Sequence, residues 1–256
     1  MKLEKDWEKN EIMKLGAVTT AWHDEETIYG TLACLESFVE KHFVLLSEKP
    51  FFGENLLPDR TEEICKQFPH VEIIKGVWKE HTMRNIGLDL CKDFDWMIGF
   101  DADEMMTAGD IIRLKNHLSF TDFDAIGFIS KVYWRTTDYR FDPDPDHIKV
   151  CVVRTKSNVK YITKQCINSP FKTLNYRDCN ITHHHLSWCE PKNILRKVIH
   201  YNHANEIDGR IWYNNFYKDW QPNEDVYQPF GTKWKAVYDP LPDELKKYLE
   251  IQNVRK

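Results

Sequence analysis

Residues 94–104 read Phe-Asp-Trp-Met-Ile-Gly-Phe-Asp-Ala-Asp-Glu, a short apolar run that ends in three carboxylates. An apolar run of this length bounded by charge predicts a buried central strand. Open α/β sheets bind ligands at the carboxyl ends of their strands, where Asp101, Asp103 and Glu104 would lie. In an extended chain Asp101 and Asp103 would share one face. Because crowded carboxylates repel each other, the stretch predicts a site for Mg²⁺ or Mn²⁺, which prefer oxygen ligands. A solvated acidic turn is the alternative.

A helix is predicted just before this strand. Residues 81–91 carry Met83, Ile86 and Leu90 at helical spacing. This helix would bring Arg84 near the carboxyl end of the strand. The planar guanidinium fork of an arginine suits either a nucleotide phosphate or a neighbouring aspartate.

The order of these motifs points to a known family. Arg84-Asn85-x-Gly87-Leu88, an apolar strand and Asp-x-Asp follow one another. Over residues 14–115 the chain therefore resembles the family-2 type of GT-A glycosyltransferases. The resemblance implies a GT-A fold, which is Rossmann-like, with a mostly parallel central sheet flanked by helices and a C-terminal helical and aromatic acceptor region. It also implies a nucleotide-sugar donor and Mn²⁺ or Mg²⁺.

The first half of the chain alternates strands with helices, which predicts a parallel sheet. The predicted strands are 15–21, 42–47 and 71–75. The first of the helices between them has Asp24 as a possible N-cap and one apolar face marked by residues from Ile28 to Val39, and the second spans about 60–68. The resemblance implies an acidic residue after the second strand, and Glu48 is the candidate there. The donor-binding candidates at the strand ends are Thr20, Trp22, Glu48, Arg84, Asp101 and Ala102.

The second half is expected to hold the acceptor site. Residues 124–135 and 147–154 are strand-like, and the acidic segment 138–146 between them is stiffened by Pro143 and Pro145. This segment is either a surface connection or part of a sugar site, because aromatic rings pack on apolar sugar faces while charged groups bind hydroxyls.

Three consecutive histidines, His183, His184 and His185, form the second strong signal. The resemblance implies one histidine after the Asp-x-Asp strand as a further metal ligand. Counting back from a helix predicted over residues 191–204 favours His185, with His184 second. The alternative is a zinc site formed by Cys179, His183, His185 and Cys189, although these spacings match no ordinary zinc module.

The catalytic base is sought near the start of that helix. The resemblance implies an inverting enzyme whose base lies near a helix start some ninety residues after Asp-x-Asp, which favours Glu190. The alternative is that Glu190 forms a capping box with Ser187. Asp146 and Asp138 are the further candidates.

Composition agrees with a soluble enzyme of one domain, or of one domain with an appended subdomain. The chain has 256 residues, a net charge of −5 and 7 cysteines without a Cys-x-x-Cys pair. These features predict no nucleic-acid partner and a cytoplasmic location with reduced thiols. No apolar run reaches the length of a membrane span. The expected organisation is a tail at 1–13, a nucleotide-sugar half at 14–120 and an acceptor and catalytic half at 121–256.

Together these observations predict a metal-dependent, inverting glycosyltransferase. Its donor would be a UDP-, GDP- or dTDP-linked sugar, and its acceptor a glycan or another hydroxyl. A catalytically silent nucleotide- or sugar-binding module is one alternative. A nucleotidyltransferase of similar fold is the other, but no Gly-rich phosphate loop follows the first strand.

Overall fold

A computed structural model describes residues 13–144, 148–163, 166–189, 191–200, 204, 208–227 and 233–254. The strands are β1 (Leu15–Ala21), β2 (Lys41–Ser47), β3 (Val71–Gly76), β4 (Trp96–Asp101), β5 (Glu104–Met105), β6 (Ala125–Ile129), β7 (Lys131–Arg135), β8 (Tyr139–Asp142), β9 (Ile148–Arg154), β10 (Lys172–Asn175), β11 (His184–Cys189), β12 (Asp225–Tyr227) and β13 (Lys233–Tyr238). The helices are α1 (Ile28–Leu35), α2 (Thr61–Cys65), α3 (Glu80–Leu90), α4 (Ala108–Leu118), α5 (Tyr176–Cys179), α6 (Pro191–His200), α7 (Gly209–Trp212) and α8 (Asp243–Val254), and a π-helical turn spans Tyr213–Tyr217.

The central sheet has the strand order β10-β6-β9-β4-β1-β2-β3 in the described residues. Strands β3, β2, β1 and β4 are parallel to one another, and β10 is parallel to β6. Strand β9 runs antiparallel between β4 and β6. The predicted α/β class, with a mostly parallel central sheet flanked by helices, is confirmed.

Alternation along each strand assigns its residues to one of the two faces of the sheet. Leu15 and Ala17 of β1 pack with residues of α1, α4 and α8, whereas Val18 packs with Met83 of α3. Strand β4 divides in the same way, because Ile98 packs on the α4 side and Met97 on the α3 side. Thr20 and Asp101 therefore belong to the α3 face, at the carboxyl end of their strands.

A second sheet, with strand order β12-β13-β8-β7-β11-β5, extends from the carboxyl end of β4. It carries its own aromatic core, with Trp134, Trp188, Trp212, Tyr217 and Trp220 all buried. The aromatic residues of the C-terminal region thus close a core around this sheet. No helix in the described part of the chain is both long enough and apolar enough to cross a membrane.

Several local predictions were wrong. The segment 124–135 is not one strand, because it breaks at Ser130 between β6 in the central sheet and β7 in the second sheet. The segment 138–146 is not simply a loop, since β8 within it pairs with β7 and β13. Helix α1 starts after Thr27 rather than after Asp24. Helix α6 is described over Pro191–His200, and residues 201–203 of the predicted helix lie outside the described residues.

Candidate functional site at the carboxyl ends of the parallel strands

Asp101, the last residue of β4, is held by three protein groups. Its Oδ1 accepts hydrogen bonds from Thr20 Oγ1 and from Arg84 Nη2, both at 2.8 Å. Thr20 lies beside Asp101 in the parallel register of β1 and β4. Asp101 Oδ2 accepts a hydrogen bond from Lys149 Nζ at 2.6 Å. Burial raises the pKa of the Asp101 carboxyl, but Arg84 and Lys149 outweigh burial and hold this pKa well below its usual range.

The packing of α3 explains the Arg-Asn-x-Gly motif. A Cβ atom at Gly87 would lie 2.8 Å from Cγ1 of Val18 in β1, so glycine lets α3 approach the sheet closely. This approach brings Arg84, almost one helical turn earlier, to Asp101. Asn85 exchanges two hydrogen bonds of 2.9 Å with the backbone of Tyr161. The Tyr161 ring then lies 5.9 Å from the Arg84 guanidinium carbon.

Lys149 of β9 belongs to the site although no sequence motif indicates it. Its side chain is 6% exposed, and its Nζ contacts Glu104 Oε2 at 2.5 Å as well as Asp101. The reason is the antiparallel register of β4 and β9, in which Ile98 pairs with Val152. Asp101 follows Ile98 by three residues and Lys149 precedes Val152 by three, so this pairing brings the two side chains to the same end of the sheet, where they are in contact. Burial lowers the pKa of Lys149, but Asp101 and Glu104 outweigh burial and raise it above its ordinary value.

Asp103 has different partners from Asp101, because residues 102 and 103 form a turn rather than extended chain. The expectation that Asp101 and Asp103 share one face was therefore wrong. Asp103 Oδ1 lies 3.3 Å from His185 Nε2, and Asp103 Oδ2 accepts from Lys197 Nζ at 2.7 Å. The pairing of β11 with β5 produces this contact, since His185 lies opposite Glu104. Burial raises the pKa of Asp103, but Lys197 and His185 outweigh burial and lower it.

Side chains alternate along β11 and its approach, so His184 faces away from His183 and His185, which both lie near Glu104. His183 is buried, with Nδ1 2.6 Å from Ser130 Oγ, and burial lowers its pKa to about 4. His184 lies with Nδ1 2.9 Å from Tyr133 Oη, and burial lowers its pKa to about 3. Both rings are thus neutral near pH 7, and His185 is the histidine that contacts Asp103.

The zinc alternative does not match the geometry of the described residues. Cys179 Sγ and Cys189 Sγ contact the backbone oxygens of Asn175 and Thr136, respectively. In the described residues, a different group brings three potential ligand atoms within 4.8 Å of one another. It consists of Glu104, Cys151 and His183. This buried cluster already holds the ammonium group of Lys149 on Glu104. A second cation there would be repelled by that ammonium group.

A divalent cation fits Asp103 and His185 better than Asp101. Two ligands of an octahedral ion at about 2.1 Å lie about 3 Å apart, close to the 3.3 Å between Asp103 Oδ1 and His185 Nε2. Both oxygens of Asp101 already accept from protein donors. Mg²⁺ is typically held by one or two carboxylates together with substrate phosphates and water, so Asp103 and His185 would leave the remaining positions to such oxygens.

The remaining donor-site candidates surround the same edge of the sheet. Trp22 follows β1, and its ring centroid lies 5.5 Å from that of His200 in α6. Glu48 is exposed after β2. Ala102 is buried and accepts a hydrogen bond from Thr31 Oγ1 through its carbonyl, which fixes the β4–β5 turn against α1. No donor contact is tested for any of them, and their role stays a prediction.

Of the three candidate bases, the structure describes Asp138. Glu190 and Asp146 lie outside the described residues. Asp138 accepts from Lys246 Nζ of α8 at 2.7 Å. Asp138 comes after the end of β7 at which Arg135 pairs with Cys189. His185 pairs with Val132, near the opposite end of β7. The role of Asp138 as a base therefore stays a prediction without a contact to the Asp103 turn.

Asp24 is a further carboxyl group of the site, for which the sequence indicated only a capping role. Its Oδ2 accepts from the backbone nitrogen of Trp22 at 2.8 Å, and its backbone nitrogen donates to Thr61 Oγ1. Burial and then the Asp103 carboxylate raise the pKa of Asp24 to about 7. A local sequence pattern could not reveal this shift, because Asp103 lies in another loop.

Comparison with known proteins adds distant structural neighbours. Neither a protein-family model nor a curated protein matches the chain. Among solved structures it is similar to residues 1–349 of S. aureus TarS, at 12% identity and a TM-score of 0.45, over 72% of this chain and 63% of that one. The same protein in complex with UDP gives 12% identity and a TM-score of 0.47, with the same coverage. Its complex with UDP-GlcNAc gives 11% and 0.47, over 70% of this chain and 59% of that one. The chain thus spans less than two thirds of the length of these structures.

Proposed function

We propose that the chain is a metal-dependent glycosyltransferase that moves a sugar from a nucleotide-sugar donor to an acceptor hydroxyl with inversion. The observation that carries this proposal is the pair Asp103 and His185, whose Oδ1 and Nε2 atoms lie 3.3 Å apart at the carboxyl edge of the parallel strands. Ligands of α/β sheets bind at this edge. The resemblance over residues 14–115 supplies the class of reaction.

Each residue of the proposed site has a distinct task. Asp103 and His185 would hold Mn²⁺ or Mg²⁺, which when bound supplies a Lewis acid for the negative charge of the departing diphosphate. Arg84 and Lys149 hold Asp101 and so fix the turn that carries Asp103. The backbone nitrogen of Leu186 donates to the Asp103 carbonyl at 2.8 Å and joins this turn to β11.

Inversion requires a base on the acceptor side of the sugar. A carboxylate within hydrogen-bond reach of the acceptor hydroxyl would remove its proton as the oxygen attacks the anomeric carbon. Glu190 is the first candidate for this role, followed by Asp146 and Asp138. The transition state would be oxocarbenium-like, as in glycoside hydrolysis.

A thermal-shift screen with UDP-, GDP- and dTDP-linked sugars, with and without Mn²⁺, tests the proposal and identifies the donor nucleotide. We expect one donor to raise the melting temperature only when Mn²⁺ is present. Asp103→Ala and His185→Ala should each abolish this rise, whereas Asp122→Ala, at an exposed loop carboxylate, should retain it. An unchanged metal response in both site variants would overturn the proposed metal centre.

Incubation with the donor then separates an enzyme from a binding module. A glycosyltransferase should hydrolyse its donor slowly even without an acceptor, releasing the nucleoside diphosphate and free sugar. Binding without turnover, also when acceptor glycans are supplied, would indicate a silent module. Release of pyrophosphate from a nucleoside triphosphate and a sugar phosphate would instead indicate a nucleotidyltransferase.

A further inference from the structure

Helix α6 contacts three loops of the first half of the chain. Arg196 Nη2 donates to the carbonyl oxygen of His23, after β1. Lys197 contacts Asp103 in the turn after β4. His200 lies against the loop after β2, where the Phe52 backbone nitrogen donates to the His200 carbonyl at 3.2 Å. The helix therefore places the ammonium group of Lys197 where the three strand ends converge.

The ammonium group of Lys197 has one charged partner and two neutral ones. It donates to Asp103 Oδ2 at 2.7 Å, and to the carbonyl and hydroxyl oxygens of Ser187, both at 3.0 Å. Its side chain is 31% exposed, in contrast to the 6% exposed Lys149, which bridges two carboxylates. An ammonium group with one anionic partner, as in Lys197, can change partners at a smaller cost than one held between two anions, as in Lys149.

The position of Lys197 bears directly on cation binding. A cation on Asp103 Oδ1 and the ammonium group on Asp103 Oδ2 would share one carboxylate and repel each other. The phosphate oxygens that accompany the cation would lie within a few ångströms of the same ammonium group. An anion of that charge attracts an ammonium group more strongly than the neutral oxygens of Ser187 do.

We propose that Lys197 is a diphosphate-binding residue that exchanges partners: its ammonium group neutralises Asp103 when no cation is bound and moves to the donor diphosphate when the cation takes Asp103. This inference rests on the proposed function. It predicts that Lys197 opposes binding of the cation alone and favours binding of the diphosphate. If Lys197 only stabilised the fold, its loss would not strengthen cation binding while weakening diphosphate binding.

The test compares Lys197→Met with the wild type, using two separate probes. The first probe is Mn²⁺ alone, followed by the electron paramagnetic resonance signal of the free ion. The second is inorganic pyrophosphate in the presence of excess Mg²⁺, followed by titration calorimetry. Lys41→Met is the matched control, because Lys41 pairs with Glu72 at 2.9 Å and is 36% exposed, at the other end of the sheet.

We expect Lys197→Met to bind Mn²⁺ about threefold to tenfold more tightly, and pyrophosphate at least about tenfold more weakly, as for the loss of one charged hydrogen bond. The control should change neither constant. Lys197→Gln, which can still bond to Ser187, repeats the test if the methionine variant does not fold. Weakening of both probes, or no change in either, overturns the exchange. If the wild type binds neither probe, the proposed function fails as well.

Discussion

Arg84 Nη2 lies 2.8 Å from Asp101 Oδ1, and the arginine side chain is only 3% exposed. A guanidinium group buried to this degree acts first on its carboxylate partner. Asp101 in turn ends β4 and begins the turn that carries Asp103. The Arg-Asn-x-Gly motif, which suggested a phosphate contact, thus positions the turn that carries Asp103 of the candidate metal centre.

Replacement of Arg84 by lysine should therefore lower stability. A lysine keeps the charge but loses the planar fork. We expect Arg84→Lys to reduce the free energy of unfolding by about 1.5–3 kcal/mol, the range for a hydrogen bond to a charged group. Urea denaturation measures the change. Arg113→Lys is the control, since Arg113 pairs with Asp110 at the same 2.8 Å but is 44% exposed. Equal effects in both variants would contradict a framework role for Arg84.

Lys149 should be the more sensitive position, because its removal leaves the buried Glu104 carboxylate without its cation and leaves Asp101 with Arg84 alone. We expect Lys149→Met to reduce the free energy of unfolding by about 3–5 kcal/mol. Adding Glu104→Gln should restore part of this loss, since one unpaired charge disappears. A double-mutant cycle by urea denaturation gives the coupling, expected above about 1 kcal/mol. Additive effects would show that Lys149 and Glu104 do not depend on each other.

Asp24 should give the protein a pH-dependent contribution to stability. Its pKa in the folded state is about 7, against about 3.9 in an unfolded chain. Between these values the folded state holds a proton that the unfolded state has released, so this contribution falls as the pH rises through the window. The free energy of unfolding of Asp24→Asn minus that of the wild type should therefore rise from about pH 4 to about pH 7 and stay level above.

Urea denaturation at intervals of pH measures this difference. Asp122→Asn, at an exposed carboxylate, should show a constant difference from the wild type. A constant difference for Asp24→Asn as well would mean that the Asp24 carboxyl titrates normally in the folded protein.

The base is tested by substitutions that keep the shape of the side chain. Glu190→Gln should leave Mn²⁺ and donor binding nearly intact and reduce sugar transfer by about 10² to 10⁴, the usual range for a general base. Transfer near the wild-type rate would make Glu190 a helix cap. The same assay on Asp146→Asn and Asp138→Asn would then find the base. A product that retains the anomeric configuration of the donor would remove the need for one.

Local patterns predicted much of the central sheet. Strand β1 has the predicted bounds, and the strands β2, β3, β4 and β9 and the helix α3 shift by two residues at most. Their buried apolar residues recur at regular spacing or in short continuous runs, and these patterns in the sequence indicate the elements. The break at Ser130 was missed because β6 and β7 are both apolar and differ only in the sheet they join.

The site was less predictable than the fold. The sequence indicated Asp103 and His185, and the pairing of β11 with β5 brings them together. Lys149 and Lys197 were missed, because each reaches its aspartate through the packing of distant elements rather than through a motif. Knowledge of the antiparallel register between β4 and β9 would have indicated Lys149.

Anomalous diffraction tests the central claim most directly. Crystals of the protein are soaked with Mn²⁺ and a nucleoside diphosphate, and data are collected at the manganese absorption edge. The account predicts one strong peak about 2.2 Å from both Asp103 Oδ1 and His185 Nε2, with phosphate oxygens completing the coordination. The peak should vanish in His185→Ala. A peak on the Glu104, Cys151 and His183 cluster, or no peak near Asp103 although the diphosphate is visible, would contradict the proposed metal centre.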